Sequence, residues 1–156
     1  MKVITVDGKE YKLEFSFEAA EYKEFVKKMF DIVSGAILVK GAKDVEKPTH
    51  GEMIDGSASI IAEIPHICID GFYAGLLENN PVSQDEAKTL MKSYMKENKL
   101  SFMKLYEELR QCMEDDGFFD LSGLTETLEQ AQMMQNKMDE TEEKKVIPMD
   151  HQKKQK

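Results

Sequence analysis

The sequence predicts an α+β fold, mostly α: an N-terminal β-hairpin packed on about five helices, followed by a disordered charged tail. Three observations carry this. Asp7-Gly8 sits between two segments of alternating apolar and polar residues, the signature of a two-residue type I′ hairpin turn. Downstream, apolar residues recur at i, i+3, i+4 and i+7, the period of amphipathic helices. Ser83-Gln84-Asp85-Glu86 is an S-x-x-E capping box, which opens a helix by satisfying orphan backbone donors at both of its ends.

The hairpin joins Val3–Val6 to Lys9–Phe15. Pairing Val6 with Lys9 puts Ile4 opposite Tyr11, and strand alternation then places Ile4, Val6, Tyr11, Leu13 and Phe15 on one face. A lone hairpin is marginal in water, so helices must cover that face. Ser16 offers an N-cap for the first helix, whose stripe is Tyr22, Phe25, Val26, Met29, Phe30 and Val33. Gly35 is its stop. From Gly41 to Gly56 the period fails, and a stretch of that length in a compact domain reads as mobile.

Ser57 or Ser59 is the expected start of the second long helix, with Ile60, Ile61, Ile64, Ile67, Cys68, Gly71, Phe72 and Gly75 inward. Pro65 within it predicts a kink. The Ser83 helix turns Ala87, Leu90, Met91, Tyr94 and Met95 inward. A fourth, from Ser101, turns in Phe102, Leu105, Tyr106, Leu109, Cys112 and Met113. Gly117 breaks it, and a fifth runs from about Ser122 to Met134. Residues 1–135 form the domain. Residues 136–156 hold six lysines and five acids with four aliphatic side chains, too little apolar surface to offset the entropy of ordering.

Charge narrows the function. The net charge is −9, and Arg110 is the single arginine among 21 basic residues. A phosphate-tracking nucleic-acid binder needs a basic stripe, and anionic lipid needs a polybasic segment, so neither is the expected partner. No apolar run approaches the ~18 residues of a membrane span, and no signal-peptide h-region opens the sequence. Cys68 and Cys112 fit a reducing cytosol and give no disulfide framework.

Four constellations bear on chemistry. Glu63-x-x-His66 with Asp70 would put metal ligands on one helix face, the basis for a rival reading as a metal-dependent enzyme. Di-iron bundles need a second E-x-x-H and two further glutamates, and the other histidines, His50 and His151, have Lys47 and Pro148 three positions earlier. The weightier reading is a surface histidine between carboxylates. Asp120 to Glu129 can be laid on a calcium loop only with Phe118 at its first position, which offers no oxygen. Cys68 and Cys112 fall on apolar stripes and read as buried thiols. Gly71 and Gly75, four apart, permit close helix approach, as core packing or as a self-association seam. No Walker loop, G-x-G-x-x-G or G-x-S-x-G occurs. Catalytic, cofactor and metal residues are therefore expected to be none.

Methionine is abundant, with 11 in the chain and eight after residue 90. Met91, Met95 and Met113 match core stripes. Met103, Met134 and Met138 do not, and adaptable methionine surfaces suit apolar helical partners. Residues 107–129 add eight acids against Arg110 alone.

The order of these pieces resembles a known family. Lys12-Leu13-Glu14-Phe15-Ser16-Phe17 runs from hairpin into helix. Gly71-Phe-Tyr-Ala-Gly-Leu-Leu-Glu-Asn-Asn-Pro81 ends a helix before the capped Ser83 helix. The chain resembles, over roughly residues 1–135, the tail assembly chaperones of long-tailed, non-contractile bacteriophages and related prophages. The resemblance implies a non-catalytic protein that binds the tape measure protein, keeps it soluble in the bacterial cytoplasm and yields to the tail tube protein. It implies a homo-oligomer and a longer form made by programmed frameshifting, and absence from the mature virion. An acidic adaptor for another client is the alternative within the binding class.

Overall fold

The computed structural model describes residues 1–39, 41–44, 47–131 and 133. Met1–Leu124 form one compact unit. The described residues from Thr125, helical over 125–131, belong to a second unit. The expected tail at 136–156 lies outside the described residues.

The fold is α+β and mostly helical, with a two-stranded antiparallel hairpin first. Strands β1 (Lys2–Val6) and β2 (Lys9–Leu13) pair with Val6 opposite Lys9 and Ile4 opposite Tyr11, the predicted register. Asp7 and Gly8 both have positive φ, as a type I′ turn requires. Ile4, Val6, Leu13 and Phe15 are buried and Tyr11 is half-buried, so one face is closed. The outer edge of β2 is closed too. Lys12 N–H donates to Asn80 Oδ1 at 2.8 Å, and Glu14 N–H donates to the Gly75 carbonyl at 2.8 Å. Covering an edge in this way removes a template for aberrant strand pairing.

The first helix is split. α1 (Phe17–Glu21) stops at Tyr22 and α2 (Lys23–Val33) starts beyond it. The break follows from what Tyr22 does in three dimensions: its ring meets Tyr73 edge-on at 5.4 Å, and its hydroxyl lies between Gln84 and Asp70. Ser16 holds the N-cap position without a side-chain cap, because its hydroxyl donates to Glu78 instead. Gly35 does stop α2, at φ +73, and α3 (Ala36–Val39) follows.

The expected start of the long helix at Ser57 or Ser59 is corrected. α4 (His50–Leu76) begins with a capping box, Thr49 and Glu52, so Gly51 and Gly56 lie inside it. Gly56 is where α3 crosses α4. A Cβ there would lie 2.0 Å from the Leu38 carbonyl oxygen, so only glycine admits this approach. Helix α4 continues through Pro65.

α5 (Gln84–Asn98) opens on the predicted Ser83–Glu86 box, and α6 (Phe102–Asp115) on Ser101. Phe102, expected inward, is 37% exposed: it stands in the first turn of α6, and its carbonyl, not its ring, accepts the Cys68 thiol. Beyond Gly117 comes a short α7 (Phe118–Leu121), and Gly123 at φ +73 separates it from the next helical residues. The expected single helix from Ser122 to Met134 is thus preceded by an unforeseen turn of helix, and Met134 lies outside the described residues. The core of the first unit joins the hairpin face to α2, α4, α5, α6 and α7, with Phe15, Phe25 and Phe118 in mutual ring contact.

Candidate functional site

The two carboxylates among the candidate metal ligands on α4 are bridged by a lysine from α2. Lys28 Nζ lies 2.6 Å from Asp70 Oδ2 and 3.6 Å from Glu63 Oε1, while His66 is exposed. The carboxylates thus meet a fixed cation from across the helix pair, not a histidine beside them. Among the described residues no group of three or more His, Cys, Asp or Glu side chains is placed to hold a metal ion.

This cluster is a staple between α2, α4 and α5. Tyr22 donates to Asp70 at 3.4 Å and accepts from Gln84 Nε2 at 3.0 Å. Burial, then the Asp70 charge, pushes the Tyr22 hydroxyl up to about 12. Burial alone would lower the Lys28 ammonium, but the hydrogen bond and charge of Asp70, with Glu63, raise it above 10.5. Both shifts have the same sign for stability. Groups raised on folding stabilise the chain fully below their unfolded values, and that contribution is lost as pH climbs through the folded ones. The midpoint of thermal unfolding is therefore expected to fall as pH rises above 10.0, toward 12. The fall should be shallower in Tyr22→Phe; identical alkaline profiles would discard the account.

Both thiols are buried and free. Cys68 Sγ donates to the Phe102 carbonyl at 3.3 Å, and burial pushes it up to about 12. Cys112 lies 3.6 Å from the Leu13 carbonyl, and burial raises its thiol as well. A protonated, covered thiol is a poor nucleophile. A thiol-reactive chromophore at pH 8 is expected to label neither cysteine in the folded chain and both after denaturation.

Gly71 and Gly75 pack inside the chain. A Cβ on Gly71 would meet the Phe25 ring at 3.1 Å, and one on Gly75 would meet Leu13 and Phe15 at 3.4 Å. Of the two readings for Gly71 and Gly75, core packing and a self-association seam, the structure places both glycines buried against this chain's own side chains.

The two segments that carry the family resemblance touch. Besides the Glu14–Gly75 and Lys12–Asn80 hydrogen bonds, Asn79 Nδ2 donates to Glu14 Oε2 at 2.7 Å and Ser16 Oγ to Glu78 Oε2 at 2.7 Å. No known protein family, curated protein or solved structure matches this chain. The functional reading accordingly rests on its own residues.

What those residues present is apolar side chains on an acidic helical surface. Met103 is 45% exposed beside Phe102 at the start of α6. Met138, like Met134, lies outside the described residues. Ile61 of α4, expected inward, is corrected: it is 67% exposed, and Ile54, which the stripe did not include, is 56% exposed, both more than Met103. Sequence reasoning missed a groove of about 360 Å³ between β2 and α5, lined by Tyr11, Val82, Asp85 and Leu90 among others. Leu90 lies on the apolar stripe expected of the Ser83 helix, but Tyr11 on the other side of the groove comes from the hairpin.

Proposed function

We propose that this chain is a non-catalytic binding protein, a tail assembly chaperone that keeps the tape measure protein of a long-tailed bacteriophage or prophage soluble in the host cytoplasm. The observation that carries the reading is the juxtaposition of residues 12–17 with residues 71–81: the two resembling segments form one hydrogen-bonded unit. A long amphipathic client helix exposes apolar stripes that aggregate, and a coat of acidic subunits blocks that. Many weak contacts hold such a coat by avidity, yet let tail tube subunits displace it one at a time. Met103 supplies an adaptable apolar contact for the client, and a longer frameshifted form extends the same domain.

Co-expression with the tape measure protein encoded beside it tests the proposal. The client is expected in the soluble fraction only when this chain is present. Met103→Asp is expected to cut client capture by about tenfold, the loss of one well-placed apolar contact, with the thermal midpoint unchanged because the side chain is exposed. A client that stays insoluble beside abundant folded chain rejects the proposal.

A further inference from the structure

The hairpin has two edges, and only that of β2 is closed. Lys12 N–H points away from β1 to reach Asn80, so Val3, directly opposite, also turns its main chain outward. Thr5, two positions on, does the same by strand alternation. At the turn end the Asp7 N–H is taken by the Glu97 carboxylate at 3.1 Å. Among the described residues, no hydrogen bond reaches the outward N–H or carbonyl of Val3 or Thr5. Both residues are exposed, Val3 by 50%. Two donors and two acceptors thus stand unpaired in one row along β1, a template for a further strand.

We propose that an extended segment of another protein, with Lys or Arg at its ends, adds to β1 as a third, antiparallel strand. The backbone pattern selects an extended segment. In an antiparallel ladder Val3 and Thr5 each exchange two hydrogen bonds with one residue of the newcomer, so three residues satisfy all four groups. A helix spends its N–H and carbonyl groups on itself and cannot answer that row. The partner is therefore not the amphipathic client helix, and the site is independent of Met103. Charge selects the ends of the segment. Acids outnumber bases at both ends of β1: Asp7 and Glu97 against Lys9 at the turn, Glu108 and Asp115 against Lys2 at the start. Between them Glu10, opposite Thr5, and Lys12, opposite Val3, cancel. Basic ends are drawn to this edge, whereas a second copy, itself at −9, is repelled. Val3 and Thr5 also favour β-branched neighbours across the strand. So short an edge makes a weak site, with a dissociation constant on the order of 0.1–1 mM.

The probe is a synthetic peptide of alternating valine and threonine with a pair of arginines at each end. Added to the isotope-labelled full chain up to about 5 mM, it brackets that constant. The amide signals of Val3 and Thr5 are expected to move most, as their N–H groups gain acceptors. The same peptide with every core amide N-methylated keeps its charge and side chains but loses its donors, and is expected to bind at least tenfold more weakly. Glutamates in place of the arginines should weaken binding by a similar factor. Thr5→Pro removes an N–H that β2 does not use, a change that edge strands tolerate. It is expected to abolish binding with the thermal midpoint retained. No saturable shift, shifts centred away from β1, or equal binding of the N-methylated or glutamate-flanked peptide overturns the proposal. So does dimerisation of the parent chain that Thr5→Pro prevents, which would give the edge to a second copy.

Discussion

Truncation of Phe15 to alanine is expected to lower the stability of the first unit by about 3–5 kcal/mol, the usual cost of emptying a core phenylalanine site. Phe15 is fully buried just beyond β2, with its ring 5.9 Å from Phe25 and 5.7 Å from Phe118. It lies beneath α4 at Gly75, where a Cβ would stand 3.4 Å from its ring. Hairpin, α2, α4 and α7 thus share one side chain, and its removal leaves a cavity none of them can fill alone. Against a total of about 5–15 kcal/mol for an ordinary domain, this is a large fraction. Urea denaturation should show a lower midpoint with the slope retained. Phe17→Ala, two positions on and 61% exposed, should shift stability by less than about 0.5 kcal/mol. Equal effects at Phe15 and Phe17 would falsify this placement of the strand-to-helix junction.

Gly56→Ala is expected to detach α3 from α4. Alanine is the better helix former by about 1 kcal/mol, which favours the substitution. Against that, the new methyl would stand 2.0, 2.6 and 2.8 Å from the carbonyl oxygen, carbonyl carbon and Cα of Leu38. All three are backbone atoms, so no rotamer change relieves the overlap. Overpacking typically costs about 1–3 kcal/mol, and a rigid obstacle puts this site at the upper end. The net effect is a loss, taken as release of the short α3 and not as collapse of the core. Amide exchange should lose protection over residues 36–39 while the hairpin keeps it. Gly51→Ala, in the first turn of the same helix with nothing within 4 Å, should instead stabilise by up to about 1 kcal/mol. The contrast separates helix propensity from contact, and a stabilised Gly56→Ala would remove α3 from this position.

How much was legible differs element by element. The register of the hairpin was readable because Asp7-Gly8 fixes turn type and turn type fixes register, although β2 ends at Leu13 and not at the expected Phe15. The start of α5 was readable because Ser83 and Glu86 cap it locally. The start of α4 has the same local signal, Thr49 and Glu52, but Gly51, Gly56 and the lost apolar period outweighed it. That period fails because this half of the helix packs on α3 through Gly56 and leaves Ile54 and Ile61 exposed. Of the candidate sites, the buried thiols followed from the stripes they occupy. The role of Glu63 and Asp70 did not, because their partner Lys28 arrives from a different helix.

The sequence by itself determined the hairpin and its register, the caps of α5 and α6, the apolar stripes and the acidic balance, because each depends on neighbours within a few positions along the chain. Tertiary structure alone decided the break at Tyr22, the Leu38–Gly56 crossing, the staple around Lys28, and the exposure of Ile54 and Ile61 on α4. Those depend on which distant backbone comes within van der Waals reach, and a one-dimensional pattern records that a surface is apolar without recording what lies across from it.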